Sequence, residues 1–170
     1  MQLRRARPDD AEPIERIRIR GWQIGYRHVF PPEELDKLTV DWSRWRMQLD
    51  DPTWAQHCAV AEDDAGVIGW VTYGPSTSPE GLGVIYGLYV DPDHWDKGAG
   101  RALLGYAEEE LTRLWDDAFL WTLAENPRTR RFYETAGWRA DGTTGTFERL
   151  GVSAPTVRYA KRLNSSTSRS

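Results

Sequence analysis

Residues 88–104 read LYVDPDHWDKGAGRALL and decide the fold, because they pass from an apolar run through a proline-containing loop into an apolar helical period. Gly98 and Gly100 stand where the helix begins, and glycine lets the backbone approach a ligand closely. The first amides of a helix have no partner within it, and the helix dipole adds positive potential there. Lys97 and Arg101 add charge of the same sign. The stretch therefore predicts a strand, a loop and a helix whose N-terminus binds an anion such as phosphate.

Other glycine-rich phosphate loops match this stretch less closely. A P-loop ends in Gly-Lys followed by Ser or Thr, and that ending is absent. A dinucleotide-binding fingerprint, Gly-x-Gly-x-x-Gly, follows directly after a strand. Here Leu103 occupies the position of the third glycine, and a loop separates the strand from the glycines. A dehydrogenase is therefore only a weakly supported rival function. A second alternative is that the two glycines merely begin the helix and bind no ligand.

The flanking sequence alternates between helical and extended periods. Pro8-Asp9-Asp10 favours a helix start after a short strand around residues 3–7, because its carboxylates complement free amides. Phe30-Pro31-Pro32 ends this first helix and starts a second, on which Trp42 and Trp45 share one apolar stripe. Further strands are expected at residues 58–61, 66–73, 84–90, 118–123, 138–147 and 156–163, with helices at 101–114 and from Asn126-Pro127 to a stop at Gly137.

The resulting order, β-α-α-β-β-β-α-β-α-β-β, predicts an α/β fold of mixed α+β type. Alternation of this kind produces a mixed sheet with helices on both faces. The connection from residues 84–90 through the helix to residues 118–123 is long enough to join two parallel strands.

Composition narrows the class of protein further. The chain has 170 residues and a formal charge of −4, which favours one domain, residues 1–163, followed by a small polar tail at 164–170 that we expect to be disordered. The mild acidity argues against nucleic-acid and membrane partners, and the apolar runs are too short to span a bilayer. Cys58 is the single cysteine, so we expect no disulfide, no metal site, and a reducing, cytoplasmic location.

Two spaced motifs resemble the GNAT superfamily of acyl-CoA-dependent N-acetyltransferases. Residues 90–104 resemble motif A, Gln/Arg-x-x-Gly-x-Gly/Ala, except that Trp95 occupies its first position. Residues 120–138 resemble motif B, in which an Asn is followed by Phe-Tyr-Glu-x-x-Gly-Phe/Trp. The resemblance extends over about residues 3–163. It implies a central twisted sheet of about seven strands, with a splayed parallel pair of strands at the cofactor site and acetyl-CoA as co-substrate.

The resemblance also implies roles for individual residues. Backbone groups of Leu88 and Val90 would hold the pantetheine arm, the Val90 amide would polarise the acetyl carbonyl, and Arg130 or Arg128 would reach the nucleotide phosphate. The residues expected at the cofactor are Leu88, Tyr89, Val90, Trp95, Asp96, Lys97, Gly98, Ala99, Gly100, Arg101, Asn126, Arg130 and Tyr133.

Tyr133 matches the family's general acid, since a phenol can protonate the departing thiolate. Many relatives carry a Glu as general base on the strand before the bulge, but approximately Val84 occupies that position here. The candidates for the base are therefore Glu80 acting through water, His28, or a chain of waters without a single base. Cys58 is expected to be a buried small residue, which favours direct transfer in a ternary complex over an acetyl-enzyme.

The acceptor pocket is expected among the first two helices and the strand loops. Trp22, Tyr26 and Tyr86 are its candidate walls, and an aromatic lining suits an apolar or cationic amine. The expected partners are a small-molecule or peptide amine, with a homodimer as a further option. The rival from another functional class is a non-catalytic acyl-CoA-binding or regulatory domain of the same fold.

Overall fold

The computed structural model describes residues 1–164 and confirms the mixed α/β fold. Residues 165–170 of the predicted tail lie outside the described part of the chain. The strands are β1 (Gln2–Arg5), β2 (His57–Asp63), β3 (Gly66–Pro75), β4 (Gly83–Val90), β5 (Asp117–Leu123), β6 (Arg139–Arg149) and β7 (Val152–Arg162). The helices are α1 (Ala11–Gly25), α2 (Pro32–Leu35), α3 (Ser43–Asp50), α4 (Ala99–Thr112) and α5 (Pro127–Thr135), with short 3-10 turns at Pro8–Asp10 and Pro92–His94.

The seven strands form one sheet in the order β1-β2-β3-β4-β5-β7-β6. All neighbours are antiparallel except β4 and β5, which α4 connects as predicted. No helix within residues 1–164 is long and apolar enough to cross a bilayer.

Alternation along β2 separates the two faces of the sheet. Ala59 and Ala61 pack with α4 and α5 in one core cluster, whereas Cys58 and Val60 pack with α1 in another. Successive strand residues point to opposite faces, so helices cover both sides. Burial raises the pKa of the Cys58 thiol, which agrees with its expected role as a small core residue.

The predicted second helix is two helices, and this corrects the sequence-based order. The Asp41 carboxylate accepts hydrogen bonds from the Ser43 amide (3.1 Å) and hydroxyl (2.7 Å), which offers the backbone a local turn instead of a continuous helix. Trp42 consequently lies before α3 with an exposed fraction of 40%, so its predicted place on the apolar stripe is wrong. Trp45 does pack inward, with its ring centroid 4.9 Å from that of Trp70.

The parallel pair of strands is short and then separates. β4 and β5 are in register only from Gly83 opposite Ala118 to Ile85 opposite Leu120. On its other side, β4 shifts register against β3, so that Tyr86 is an extra residue between the partners of Thr72 and Tyr73. Such a bulge bends a strand locally. The splayed pair expected from the family resemblance is therefore present.

Candidate active site

A cleft of about 1100 Å³ opens where β4 and β5 separate. The C-terminal half of α1 borders it on one face of the sheet, and the N-termini of α4 and α5 border it on the other. The strands therefore form the sides of a passage that connects the two faces.

Backbone groups of β4 point into this passage without a strand partner. The Asp91 amide donates to the Ile68 carbonyl at 2.8 Å, on the β3 side of β4. Because backbone groups alternate in direction along a strand, the amides of Val90 and Leu88 face the separated β5. The Trp95 indole Nε1–H donates to the Val90 carbonyl at 2.8 Å, whereas no described residue accepts a hydrogen bond from the Val90 amide.

The N-terminus of α4 adds a second row of donors. Gly98 caps the helix with a φ of 90°, a left-handed conformation that suits glycine. No described residue accepts a hydrogen bond from any backbone amide of residues 96–101. Free amides and the helix dipole together form a site for an anion.

Arginine side chains surround this helix end. Arg101, Arg128 and Arg131 line the cleft. The Arg128 guanidinium lies 4.0 Å from the Trp95 ring centroid and 3.1 Å from the Asp96 carboxylate. Trp95, the departure from motif A, therefore contributes its side chain to the shape of the cleft.

Three residues predicted for the cofactor have side chains directed elsewhere. Arg130 donates to the Tyr159 hydroxyl (3.0 Å) and to the Ala124 carbonyl (3.2 Å), and it is not among the lining residues, so Arg128 is the better placed of the two arginines. Lys97 donates to the Asp93 carbonyl at 2.8 Å. Ala99 is buried in the core beneath the helix start, so only its amide is available to a ligand.

Asn126 follows β5 and caps α5. Its side-chain oxygen accepts from the Thr129 amide at 3.3 Å, and the residue is buried while still lining the cleft. A side-chain acceptor that satisfies a first-turn amide stabilises a helix start. No described residue accepts from its side-chain amide nitrogen, which remains a donor for a ligand.

Tyr133 lines the cleft from α5. The residue is 6% exposed, and no hydrogen bond joins its hydroxyl to another described residue. Burial, with a smaller contribution from nearby Tyr89, raises the pKa of Tyr133. The phenol therefore stays protonated at neutral pH and can donate.

Trp22 and Tyr26, predicted as pocket walls, both line the cleft on the α1 face. The Trp22 indole donates to the Tyr89 hydroxyl at 3.0 Å. Burial and the same hydroxyl raise the pKa of Tyr26. Tyr89, predicted among the cofactor residues, thus also orders the aromatic wall through its side chain.

Two wall residues were missed by sequence reasoning. Trp121 and Phe147 line the cleft although they come from β5 and β6. Trp121 carried no signal in the sequence, because it lies within the apolar run of residues 118–123 and only the structure shows that it is exposed. Phe147 carried none either, since its contact with Trp22, at 5.8 Å between centroids, depends on strand order.

The candidate bases differ in position. Glu80 is exposed in the loop before β4 and is not among the lining residues. His28 lines the mouth, and its Nε2 lies 2.6 Å from the Glu125 carbonyl. Since a carbonyl can only accept, Nε2 carries the proton, and Nδ1 is the basic nitrogen of the neutral ring. Asp96 is the only acid among the described lining residues, and Arg128 engages it.

Comparisons with known proteins agree with this geometry. A model of the acetyltransferase (GNAT) family matches residues 18–138. The uncharacterized N-acetyltransferase YuaI of Bacillus subtilis strain 168 is 28% identical over 131 residues, which cover 74% of this chain and 73% of YuaI. The probable N-acetyltransferase Rv2775 of Mycobacterium tuberculosis H37Rv is 28% identical over 165 residues, 94% of this chain and 92% of Rv2775.

Among solved structures, YncA of Salmonella typhimurium has the same fold, with a TM-score of 0.74 at 18% identity and coverage of 99% of this chain and 97% of that chain. The family model spans most of this chain, and the splayed strands with the glycine-capped helix start are the features expected from the two motifs. The chain therefore belongs to the GNAT family of acetyltransferases and is an acyltransferase enzyme.

Proposed function

We propose that this enzyme transfers the acetyl group of acetyl-CoA directly to an amine acceptor in a ternary complex. The observation that carries the proposal is the position of Tyr133, whose hydroxyl has no hydrogen-bond partner among the described residues, in a cleft that also contains the free amides at the start of α4. The structure of YncA, which has the same fold, was determined with its cofactor acetyl-CoA.

The residues present suit this co-substrate. The amides of residues 96–101, with Arg101 and Arg128, offer the donors and charge that a diphosphate requires. The amides of Leu88 and Val90 and the side-chain nitrogen of Asn126 offer donors to the amide groups of a pantetheine arm.

Acetyl-CoA supplies an acyl thioester whose thiolate departs when an amine attacks. The Val90 amide would donate to the acyl oxygen, where negative charge develops. Tyr133 would donate its proton to the sulfur, which its raised pKa favours because the phenol remains protonated.

The amine must lose a proton before it attacks. His28 Nδ1 at the mouth is the side-chain candidate for accepting it, while Glu80 would need bridging water. Cys58 is buried in the core and outside the lining residues, which supports direct transfer over an acetyl-cysteine.

One observation favours the non-catalytic rival. Val84 is buried at the strand position where many relatives carry a carboxylate, and no acid except Asp96 lines the described cleft. A domain that binds acyl-CoA without turning it over would need no base.

The experiment combines calorimetric binding of CoA with acetyl transfer from acetyl-CoA to a panel of primary amines, followed by mass spectrometry of the products. We expect both binding and turnover. Binding without turnover of any amine would favour the rival, and absence of CoA binding would refute both. The cytoplasmic location, the homodimer and the domain boundary at residue 163 stay predictions.

A further inference from the structure

The α1 face of the cleft is apolar at its mouth. Large apolar side chains that remain exposed concentrate there, with exposed fractions of 52% for Ile24, 43% for Tyr86, 43% for Trp121 and 38% for Phe147. Trp121 shares this face with Leu123, which packs beside Trp22 in the α1-side cluster. Exposed apolar surface gathered in one concave region marks a place where a ligand or partner is bound.

Several polar groups on this wall are already engaged within the protein. The Tyr86 hydroxyl donates to the Pro75 carbonyl at 2.5 Å, and the Trp22 indole donates to Tyr89. His28 Nε2 donates to the Glu125 carbonyl. The wall therefore offers an acceptor molecule mainly ring surface, with few directed hydrogen bonds.

Charged side chains lie on the opposite side of the passage. Among the described lining residues, the carboxylate and guanidinium groups belong to Asp96 and Arg101, near the start of α4, and to Arg128 and Arg131, on α5. Arg158 is the register partner of Trp121 on β7, but its Nε lies 2.6 Å from the Asp141 carboxylate, so this cation is already paired. Among the lining residues that the structure describes, none on the aromatic wall offers a free cation for a carboxylate or an acid for a second ammonium group.

We propose that the acceptor is an arylalkyl primary amine that has no carboxylate and no second cationic centre. The inference rests on the proposed acetyl transfer and names its substrate class. An amino acid would leave its carboxylate without a counter-charge, and a polyamine would leave an ammonium group unpaired, both of which are costly where the acceptor loses water against the wall. An aromatic ring gains by burial against Trp121 and Phe147.

Matched amines test the chemical class. Phenethylamine is compared with ethylamine, which lacks the ring, with phenylalanine, which adds a carboxylate, and with spermidine, which adds cations. We expect kcat/KM for phenethylamine to exceed each of the others by about 10- to 100-fold, from burial of one ring and unpaired charge in the others. Equal or higher values for phenylalanine or spermidine would overturn the inference.

Variants test the wall itself. Trp121→Ala and Phe147→Ala should each lower the ratio of kcat/KM for phenethylamine to that for ethylamine about tenfold, because each removes ring surface from the acceptor. Trp121 is exposed on its strand, so its variant is the one expected to fold normally. Trp42→Ala is the control, since Trp42 is similarly exposed but lies outside the cleft. An unchanged ratio in both wall variants would contradict the proposal.

Calorimetry separates this inference from the proposed function. Phenethylamine is titrated into the protein saturated with CoA, and ethylamine and phenylalanine serve as comparisons. Preferential binding of phenethylamine without any acetyl transfer would refute catalysis and leave the acceptor class supported. Acetyl transfer with no preference for ring-bearing amines would support catalysis and refute the acceptor class.

Discussion

Tyr133 carries the sharpest consequence at the scale of single residues. Its hydroxyl has no hydrogen-bond partner among the described residues, so its replacement by Phe removes a donor from the cleft and disturbs no hydrogen bond among them. We expect Tyr133→Phe to lower kcat on the order of 10²-fold, as for loss of a general acid, while the Kd for CoA stays within about threefold.

Steady-state kinetics and calorimetry measure the two effects of Tyr133→Phe. Tyr106→Phe is the control, because Tyr106 lies on α4 outside the cleft. Kinetics equal to those of the unmodified enzyme would remove Tyr133 from the mechanism.

Trp95 shows how one departure from a motif changes its surroundings. Its indole binds the Val90 carbonyl, and its ring stacks against Arg128. The same ring would touch a Cβ placed on Gly25 of α1, at 3.6 Å. A residue that the motif uses mainly through its backbone therefore also joins α1, β4 and α5 around the cleft.

Gly98 at the N-cap of α4 supports a prediction at the scale of one element. A Cβ at this position would meet no atom within 4 Å, but its φ of 90° is unfavourable for other residues. We expect Gly98→Ala to lower the free energy of unfolding by about 1–2 kcal/mol, the cost of a left-handed residue. CoA affinity should fall as well, because relief of this strain would move the free amides.

Gly105→Ala in the same helix is the matched control for Gly98→Ala. It also has open space for a Cβ, but its backbone is helical, so we expect stabilisation by about 0.5–1 kcal/mol. Urea denaturation measures both changes. The same sign of change for the two variants would contradict the backbone argument.

The contact between β1 and the start of α1 predicts a pH dependence. Burial favours the neutral form of Asp10, but hydrogen bonds from Arg4 (2.7 and 2.9 Å) and the Arg7 amide (2.7 Å) outweigh it and lower the pKa of Asp10. A lowered folded-state pKa stabilises the protein above the unfolded value, near 4, and this contribution is lost as the pH falls through the folded value.

Asp10→Asn should therefore cost about 2 kcal/mol of unfolding free energy at pH 7, the value of hydrogen bonds to a charged group. The difference from the unmodified protein should shrink at pH 3. Urea denaturation at the two pH values measures it, with Asp36→Asn, whose carboxylate is exposed beside Arg27, as a control of little effect. A difference that does not change between the two pH values would show that the charge of Asp10 is unimportant.

The whole molecule consists of two half-sheets joined by a short parallel seam. Strands β1 to β4 form one half and β5, β7 and β6 the other, and only Gly83–Ile85 pair with residues 118–120 between them. A ligand in the cleft would touch both halves. At a concentration of 100 times its Kd, CoA should add about 2.7 kcal/mol of stability, which raises Tm by about 5–10 °C for a domain of this size.

Differential scanning fluorimetry measures the Tm shift, with NADH as the comparison ligand. The GNAT assignment predicts no shift with NADH, whereas the dehydrogenase alternative from the glycine pattern predicts the reverse. A shift with NADH and none with CoA would contradict the proposed co-substrate.

Local sequence was sufficient to predict most elements and the glycine-capped start of α4. The start of α4, the cap at Asn126 and the positive φ of Gly137 each depend on a few consecutive residues, and hydrogen bonds over such short spans form in the same way in any fold. The division of the predicted second helix was the local feature missed, because the Asp41 side chain competes with helical hydrogen bonds.

Only the tertiary structure decided which side chains meet in the cleft. Arg128 faces it while Arg130 bonds to Tyr159, and Trp121 and Phe147 complete a wall begun by Trp22. These contacts join residues far apart in the chain, and they depend on strand order, register and the point where β4 and β5 separate. Periodicity along one segment reports which face is buried, but the partner on that face is set by the packing of all the elements together.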